Sequence, residues 1–338
     1  MQKKVTMQDI ADKLGITKVS VSKVLNNQPG IGENLRLQIL KTAKEMNYTK
    51  HKEKSALRKT YNFAIVCPKR NFLDDEYFYT NIYFYINRYC IENHHGCDCY
   101  VITREDEDKG RLPEQLSDKK YNGIFIAGEC TANFLSSLSA LKNNIVAIDF
   151  YNNNFNFDYV VVDNFLAGQY VTKYLLEKGH REIGFIGDYK TTSSISDRYF
   201  GYMKTMLRNE LVPRAEAQFS VLDVSVGATV PFKLPEKMPT AFICHCDKAA
   251  FIIIQALERA GFAVPSDVSV MSFDNTKICE IITPKLTTID INLKEISKLA
   301  IDLMLKRLKD HTKKKRKFYL ETSIIERDSV TNAPAEEE

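Results

Sequence analysis

The chain has 338 residues, of which 44% are apolar and 27% charged, with eight cysteines and a formal charge of +4. That length suits about two domains, and that composition excludes a disordered, collagen-like or disulfide-stapled chain. No apolar run approaches the roughly 20 residues that cross a bilayer, and the stretch from Met1 to Thr6 turns polar before a signal-peptide core can form. The expectation is a cytoplasmic protein with no membrane partner.

The charge is unevenly placed. Residues 1–60 carry 13 Lys/Arg against 5 Asp/Glu, whereas the remainder carries 34 against 38. A basic head on a mildly acidic body suits a chain whose one end meets a polyanion.

The head begins with Thr6-Met7-Gln8-Asp9, which has the form of a capped helix start, and Ile10, Ala11 and Leu14 follow at helical spacing until Gly15. Thr17 can cap a second helix, Lys18 to Leu25, with Val21, Val24 and Leu25 inward. A third amphipathic helix, Glu33 to Met46, puts Leu35, Ile39, Leu40 and Ala43 inward after the stop signal Asn26-Asn27-Gln28-Pro29-Gly30. Two short helices joined by a tight turn and backed by a third predict a small all-α helix-turn-helix domain over residues 1–48. Its second helix would enter the major groove of double-stranded DNA. Thr17, Lys18, Val19, Ser20, Ser22 and Lys23 are then placed to meet base edges or phosphates.

Val5-Thr6-Met7-Gln8-Asp9-Ile10-Ala11, Val19-Ser20-Val21-Ser22-Lys23-Val24-Leu25-Asn26 and Asn47-Tyr48 together resemble the head of the LacI/GalR family of bacterial transcriptional repressors. The resemblance implies a homodimer on a pseudopalindromic operator, hence at the nucleoid, with Lys18 and Val19 at variable base-reading positions. Thr6, Asn26 and Tyr48 join the DNA-binding set. It also implies a hinge helix over residues 49–60 that wedges a leucine into the minor groove. Leu57 and Arg58 match that hinge, whereas Lys50, Lys54 and Ser55 replace the usual proline, alanine and arginine.

From Tyr61 onward, short apolar runs alternate with amphipathic stretches: Phe63–Val66, Asp98–Ile102, Gly123–Ala127, Ile145–Ile148, Ile183–Ile186, Ala241–Cys244 and Val268–Met271. This rhythm predicts parallel sheets covered by helices, with ligands outside the carboxyl ends of the strands. Asp149, Asp247 and Asp274 stand at such ends. A helix from Leu293 to Leu308, a solvated basic loop Lys313–Lys317 and a last strand around Phe318–Ile325 complete the body. Residues 331–338 read as a disordered tail.

The family resemblance continues through Asp163–Gly168, Gly179–Ile186, Arg198–Tyr202, Val264–Val270 and Pro284–Ile289. It implies that residues 61–330 form a type I periplasmic-binding-protein-like sensor of two α/β subdomains that binds an effector and dimerises. Its effector-binding arginine falls on Arg198 and its cleft aspartates on Asp149, Asp247 and Asp274. Cys246 stands where an asparagine is usual, and Ser272 where a glycine is frequent.

Chemically, carboxylates and a guanidinium fork suit a polyhydroxyl ligand, while Phe72, Tyr77, Phe78 and Tyr79 offer ring faces. A sugar or sugar phosphate is the leading expectation, with a nucleobase, a nucleoside or a protein co-effector as the alternatives. The chain has no G-x-S-x-G, H-E-x-x-H, Walker or G-x-G-x-x-G sequence, so neither an enzyme nor a cofactor is expected. His94-His95-Gly96-Cys97-Asp98-Cys99 and Cys244-His245-Cys246 raise a metal question. Period-2 burial of cysteines on strands answers it more simply, and no metal site is expected.

Overall fold

The computed structural model describes residues 5–25, 28–46, 48, 59–72, 77–117, 120–310 and 314–334. The chain divides into two compact units, 1–59 and 60–338. The expected hinge contacts Leu57 and Arg58, together with Asn26, lie outside the described residues.

In the first unit, α1 (Met7–Leu14) starts at a complete capping box. The Thr6 hydroxyl accepts from the Asp9 N–H and the Asp9 carboxylate accepts from the Thr6 N–H, which satisfies amides that the helix itself leaves open. Gly15 ends it in the left-handed region at φ 64°. Two more helices follow, α2 (Lys18–Leu25) and α3 (Glu33–Glu45). Ile10, Ala11, Val21, Val24, Ile39 and Ala43 form the shared core. Leu40, expected inward, is 44% exposed. The buried stripe of α3 runs through Ile39, Thr42 and Ala43, and Leu40 is turned about 100° away from Ile39 around the helix.

The second unit opens with β1 (Asn62–Pro68), α4 (Tyr77–Glu92), β2 (Gly96–Ile102), α5 (Arg104–Lys109), α6 (Glu114–Ser117), β3 (Gly123–Ala127), α7 (Ala132–Ala140), β4 (Asn144–Ile148) and β5 (Asp158–Val162). It continues through α8 (Asn164–Glu177), β6 (Ile183–Ile186), α9 (Ser193–Arg208), the short strands β7 (Gln218–Phe219), β8 (Leu222–Asp223) and β9 (Ala228–Thr229), then β10 (Ala241–Cys244), α10 (Asp247–Arg259), β11 (Ser269–Asp274), α11 (Ile278–Ile281) and β12 (Thr287–Asp290). The last elements are α12 (Leu293–Lys309), β13 (Lys317–Leu320) and β14 (Ser323–Ile325).

Two six-stranded sheets result, in the orders β13-β5-β4-β3-β1-β2 and β14-β12-β11-β10-β6-β7. All neighbours in them are parallel except β14, which runs antiparallel to β12. Strands buried on both faces explain why β1, β3 and β10 read as unbroken apolar runs. The fold class is therefore as expected: a small helix-turn-helix unit followed by an α/β unit of two parallel-sheet subdomains.

Three details differ from expectation. The single strand foreseen at Phe318–Ile325 is two strands in two different sheets, because the chain crosses between subdomains at Glu321-Thr322. The basic run is tied down where it is described. Lys315 Nζ lies 3.5 Å from the buried Asp158 carboxylate, which also pairs with Arg307, and Lys317 Nζ sits 3.2 Å from the Tyr151 ring centre. Finally, Thr331 to Pro334 are ordered rather than a free tail. The Thr331 carbonyl lies 3.0 Å from His180 Nε2, and the Ala333 N–H donates to the Lys178 carbonyl at 2.8 Å. Residues 335–338 lie outside the described residues.

Candidate effector cleft and nucleic-acid interface

The strand-end rule places a cleft where the carboxyl ends of the two sheets meet. A cavity of about 120 Å³ lies there. From the first subdomain come Arg70 and Asn71 after β1, Phe78 and Tyr79 on α4, and Asp149 after β4. The second contributes Thr192, Ser194 and Arg198 around the start of α9, His245 and Cys246 after β10, and Asp274 at the end of β11.

Asp149 is buried, at 6% exposure, with φ at +70°. Its Oδ2 accepts from the Tyr79 hydroxyl at 2.7 Å, while Oδ1 has no hydrogen-bond partner among the described residues. Burial raises its pKa, against the opposing pull of the Arg198 charge and the Tyr79 hydrogen bond. A buried acceptor left open is costly unless something fills it, and a ligand hydroxyl or amine would do so.

Arg198 is held from four sides. Nε donates to Asn164 Oδ1 at 2.8 Å, Nη1 to the His245 carbonyl, and Nη2 to Asp274 Oδ1 at 3.3 Å. Its guanidinium carbon also stands 4.4 Å from the centre of the Phe273 ring. The fork is thus preorganised at the cleft wall and its orientation fixed before any ligand arrives.

Asp247 does not belong to this polar set. Its Oδ1 accepts from the hydroxyls of Ser272 (2.5 Å) and Thr288 (2.8 Å), and Oδ2 from the Thr276 N–H (2.7 Å) and hydroxyl (2.9 Å). At 1% exposure, it ties α10 to β11 and β12, and it lines a second, larger cavity beside the first rather than the first itself. Ser272, in place of the frequent glycine, supplies one of those donors.

The aromatics divide similarly. Phe78 lines the cavity, whereas Tyr77 lines a neighbouring, more apolar cavity of about 570 Å³ between α4 and α10–α11, which shares Phe78, Cys246 and Asp274 with the first. Phe72, the last residue of the short turn Lys69–Phe72, is taken up by packing against the first sheet's core and lines neither cavity. Arg70, Asn71, Thr192, Ser194 and His245 were missed. All follow β1, β6 or β10, so the rule that found the aspartates, applied to every strand end, reaches them too.

A further link joins the subdomains beside this cavity. Glu129, after β3, accepts on Oε2 from the Ser193 N–H (2.7 Å) and hydroxyl (3.0 Å) at the start of α9. Burial raises its pKa against those two bonds. The Tyr151 hydroxyl donates to Asp197 Oδ1 at 3.0 Å.

In the head, Lys18 and Val19 stand exposed on the first turn of α2, Val19 at 64%. Ser20, Ser22 and Lys23 are half-buried. Two of the expected hydroxyl contacts have local work: Thr17 Oγ1 accepts from the Ser20 N–H at 3.2 Å, and Thr6 caps α1. Tyr48 is half-buried against the head core. Lys18 and Val19, exposed like Thr6 and Thr17 but not engaged in those local bonds, therefore lead the set among the described residues.

A basic helix-turn-helix unit followed by an α/β unit with a preformed polar cleft defines a DNA-binding regulator with an effector-binding domain. Residues 6–51 match the family described as bacterial regulatory proteins, lacI family, and residues 172–330 match the periplasmic binding protein-like domain. Full-length relatives include the HTH-type transcriptional repressor PurR of Vibrio campbellii, 26% identical over 337 residues (96% of this chain, 98% of that protein). The ribose operon repressor of Haemophilus influenzae is 25% identical over 336 residues, with the same coverage. The regulator NtdR of Bacillus subtilis is 28% identical over 332 residues (96% and 99%). In structure, a CelR–cellobiose complex superposes with TM-score 0.70 at 20% identity, covering 96% of this chain and 100% of that one. The lac repressor dimer bound to operator gives TM-score 0.66 at 18% identity, covering 97% and 100%.

The chain thus carries a lacI-type helix-turn-helix domain followed by a periplasmic-binding-protein-like domain, and its full-length relatives are repressors such as PurR. It is a DNA-binding transcriptional repressor with an effector-binding domain, a class of regulators and not of enzymes. No helix among the described residues is long and apolar enough to cross a membrane.

Proposed function

We propose that this repressor acts as a homodimer on a pseudopalindromic operator in the cytoplasm, and that a sugar or sugar phosphate in the cleft between its subdomains changes operator affinity. Lys18 and Val19 are its principal base-reading residues, supported by Thr17, Ser20, Ser22 and Lys23. Asp149, Arg198, Asp274 and Phe78 hold the effector. The observation that carries the reading is the buried Asp149 carboxylate with Oδ1 open beside the fixed Arg198–Asp274 pair. Such a set pairs with vicinal hydroxyls, which donate to carboxylates and accept from guanidinium.

Phe78, Tyr79 and the aliphatic Ile195, Leu222 and Val224 line the cavity beside the polar groups, so a sugar ring finds apolar surface for its C–H faces as well as partners for its hydroxyls. Solved lacI-family regulators from Enterococcus faecium and Weissella paramesenteroides carry ribose and glucose, which is consistent with the same ligand class here.

An effector shifts operator affinity only as far as it prefers one subdomain arrangement over another. The Glu129–Ser193 and Tyr151–Asp197 contacts are bonds that such a rearrangement would make or break. The test is a thermal-shift screen of the full chain against sugars, sugar phosphates and nucleosides, followed by operator titration with each hit. Sugar hits that alter operator affinity support the reading. Hits confined to nucleosides replace it with the nucleobase alternative, and a flat screen with the protein co-effector.

A further inference from the structure

The cavity of about 120 Å³ that Asp149 lines adjoins a second polar one of about 370 Å³ lined by Glu129, and Arg70, Thr192 and Val224 belong to both. Every guanidinium in the two linings already faces a carboxylate of its own. Arg70 donates to the buried Glu107, Arg104 pairs with Asp108 at 3.0 Å, and Arg198 pairs with Asp274 at 3.3 Å. Among the described residues, no lysine lines either cavity. His245 adds no positive charge, because burial lowers its pKa to about 4.

Two carboxylates are left over, and the groups that donate to them are neutral. Asp149 accepts from the Tyr79 hydroxyl, and Glu129 from the Ser193 N–H and hydroxyl. Burial raises the pKa of both, and the Asp149 charge raises Glu129 further. The Arg198 charge pulls Asp149 the other way, but its nitrogens donate to Asn164, the His245 carbonyl and Asp274. Asp149 Oδ1, buried and without a partner among the described residues, is therefore where the surplus negative charge of the cleft is both desolvated and open. Burying a carboxylate without a cation is costly. A ligand hydroxyl would complete the hydrogen bond and leave the charge in place, whereas an ammonium group would answer both. A phosphate would bring further negative charge to Asp149 and Glu129.

We propose that the effector is an amino sugar whose ammonium group donates to Asp149 Oδ1, while its hydroxyls meet the Arg198–Asp274 pair and Ser194. This rests on the sugar reading above and narrows it, selecting cationic sugars over neutral ones and over sugar phosphates. Glu129 adds to the same preference through its charge, from the adjoining cavity.

The test is calorimetric titration of the full chain at pH 7 with glucose and galactose, their 2-, 3- and 6-amino-deoxy analogues, and glucose 6-phosphate. At least one amino sugar is expected to bind about tenfold or more tighter than its parent sugar, since a hydrogen bond between two charged groups is roughly twice as strong as a neutral one, and the phosphate is expected to bind more weakly than glucose. Asp149→Asn should bring the ratio of amino sugar to parent close to one. A parent sugar or the phosphate that binds as tightly as every amino analogue overturns the inference and leaves the sugar reading standing. Absence of binding by all of these probes overturns both. An amino-sugar advantage that persists in Asp149→Asn overturns the role of Asp149. The wild-type series decides the ligand class even if the variant fails to fold.

Discussion

The Tyr79 hydroxyl holds Asp149 Oδ2 at 2.7 Å across the cleft wall, and the same carboxylate's Oδ1 stays buried without a partner among the described residues. One half of the side chain is thus fixed in place and the other half kept available. Fixing a carboxylate by a neutral donor, without neutralising it, is how a site keeps acceptor strength for a ligand.

Asp149→Asn separates these two halves. A carboxyl group whose pKa is raised in the folded state contributes stability that is complete below its unfolded pKa and is lost as pH rises through the folded value. At neutral pH the charge therefore works against the ligand-free fold. The variant should melt at an equal or higher temperature than the parent at pH 7 and lose part of the parent's decline in stability as pH rises through the acid range. Effector affinity should fall by about tenfold or more, since a charge-assisted hydrogen bond contributes roughly 1.5–3 kcal/mol. Melting curves across pH with and without the best hit read both effects. A variant that melts lower and still binds normally contradicts the assignment.

For Asp247 the expectation is reversed. Four donors from Ser272, Thr276 and Thr288 converge on it, so Asp247→Ala leaves the buried Ser272 and Thr288 hydroxyls without this acceptor and costs about 1–3 kcal/mol. Urea denaturation should show the loss. If stability instead stays within about 0.5 kcal/mol while effector binding disappears, Asp247 is a ligand contact after all.

The contrast between these two aspartates shows where sequence reading succeeds and where it stops. Both follow apolar strand runs, and the rule about strand ends finds them equally. What divides them lies far along the chain: Asp247's partners are 25, 29 and 41 residues away. Strand β12 was overlooked for a related reason. Thr287 and Thr288 read as polar but are fully buried, their hydroxyls accepting from the Arg327 N–H and donating to Asp247. Strand β5 opens with Asp158, whose buried carboxylate is met by Arg307 from α12, 149 residues later, and by Lys315 beyond it. Periodicity registers side chains that are apolar by themselves; it does not register polar ones made burial-compatible by a distant partner. The head was more legible, since Thr6, Asp9 and Gly15 act on backbone within a few residues of themselves.

Arg198→Lys tests preorganisation more cleanly than removal of the side chain. A lysine keeps the charge near Asp274 but cannot span Asn164, the His245 carbonyl and Asp274 at once. The effector response should weaken by about tenfold or more, with basal operator affinity retained. Arg198→Ala should additionally lower the melting midpoint, because the buried Asn164 Oδ1 and His245 carbonyl lose the donor that meets them. Operator titrations at a temperature where both variants are folded separate the effects. Loss of basal operator binding in the lysine variant refutes a role confined to the cleft.

The head permits a test that leaves stability aside. Lys18 and Val19 are exposed on α2 and contribute nothing to the Ile10–Val21–Ile39 core, so alanine at either position should shift the head's melting by less than about 0.5 kcal/mol. Their effects on DNA should differ in kind. A valine at a base edge reads sequence through apolar contact with a thymine methyl. Val19→Ala should therefore change the sequences recovered from a randomised duplex library, with a preference altered by about 1–3 kcal/mol at one base pair per half-site. A lysine on a phosphate contributes to every sequence alike. If Lys18 binds backbone, Lys18→Ala should weaken all duplexes together and reduce the slope of log affinity against log salt by about one. If Lys18 reads a guanine edge instead, the salt slope falls by less and the selected sequences change. A variant of either residue that binds the library with parental affinity, selectivity and salt slope contradicts the assignment of α2 as the reading helix.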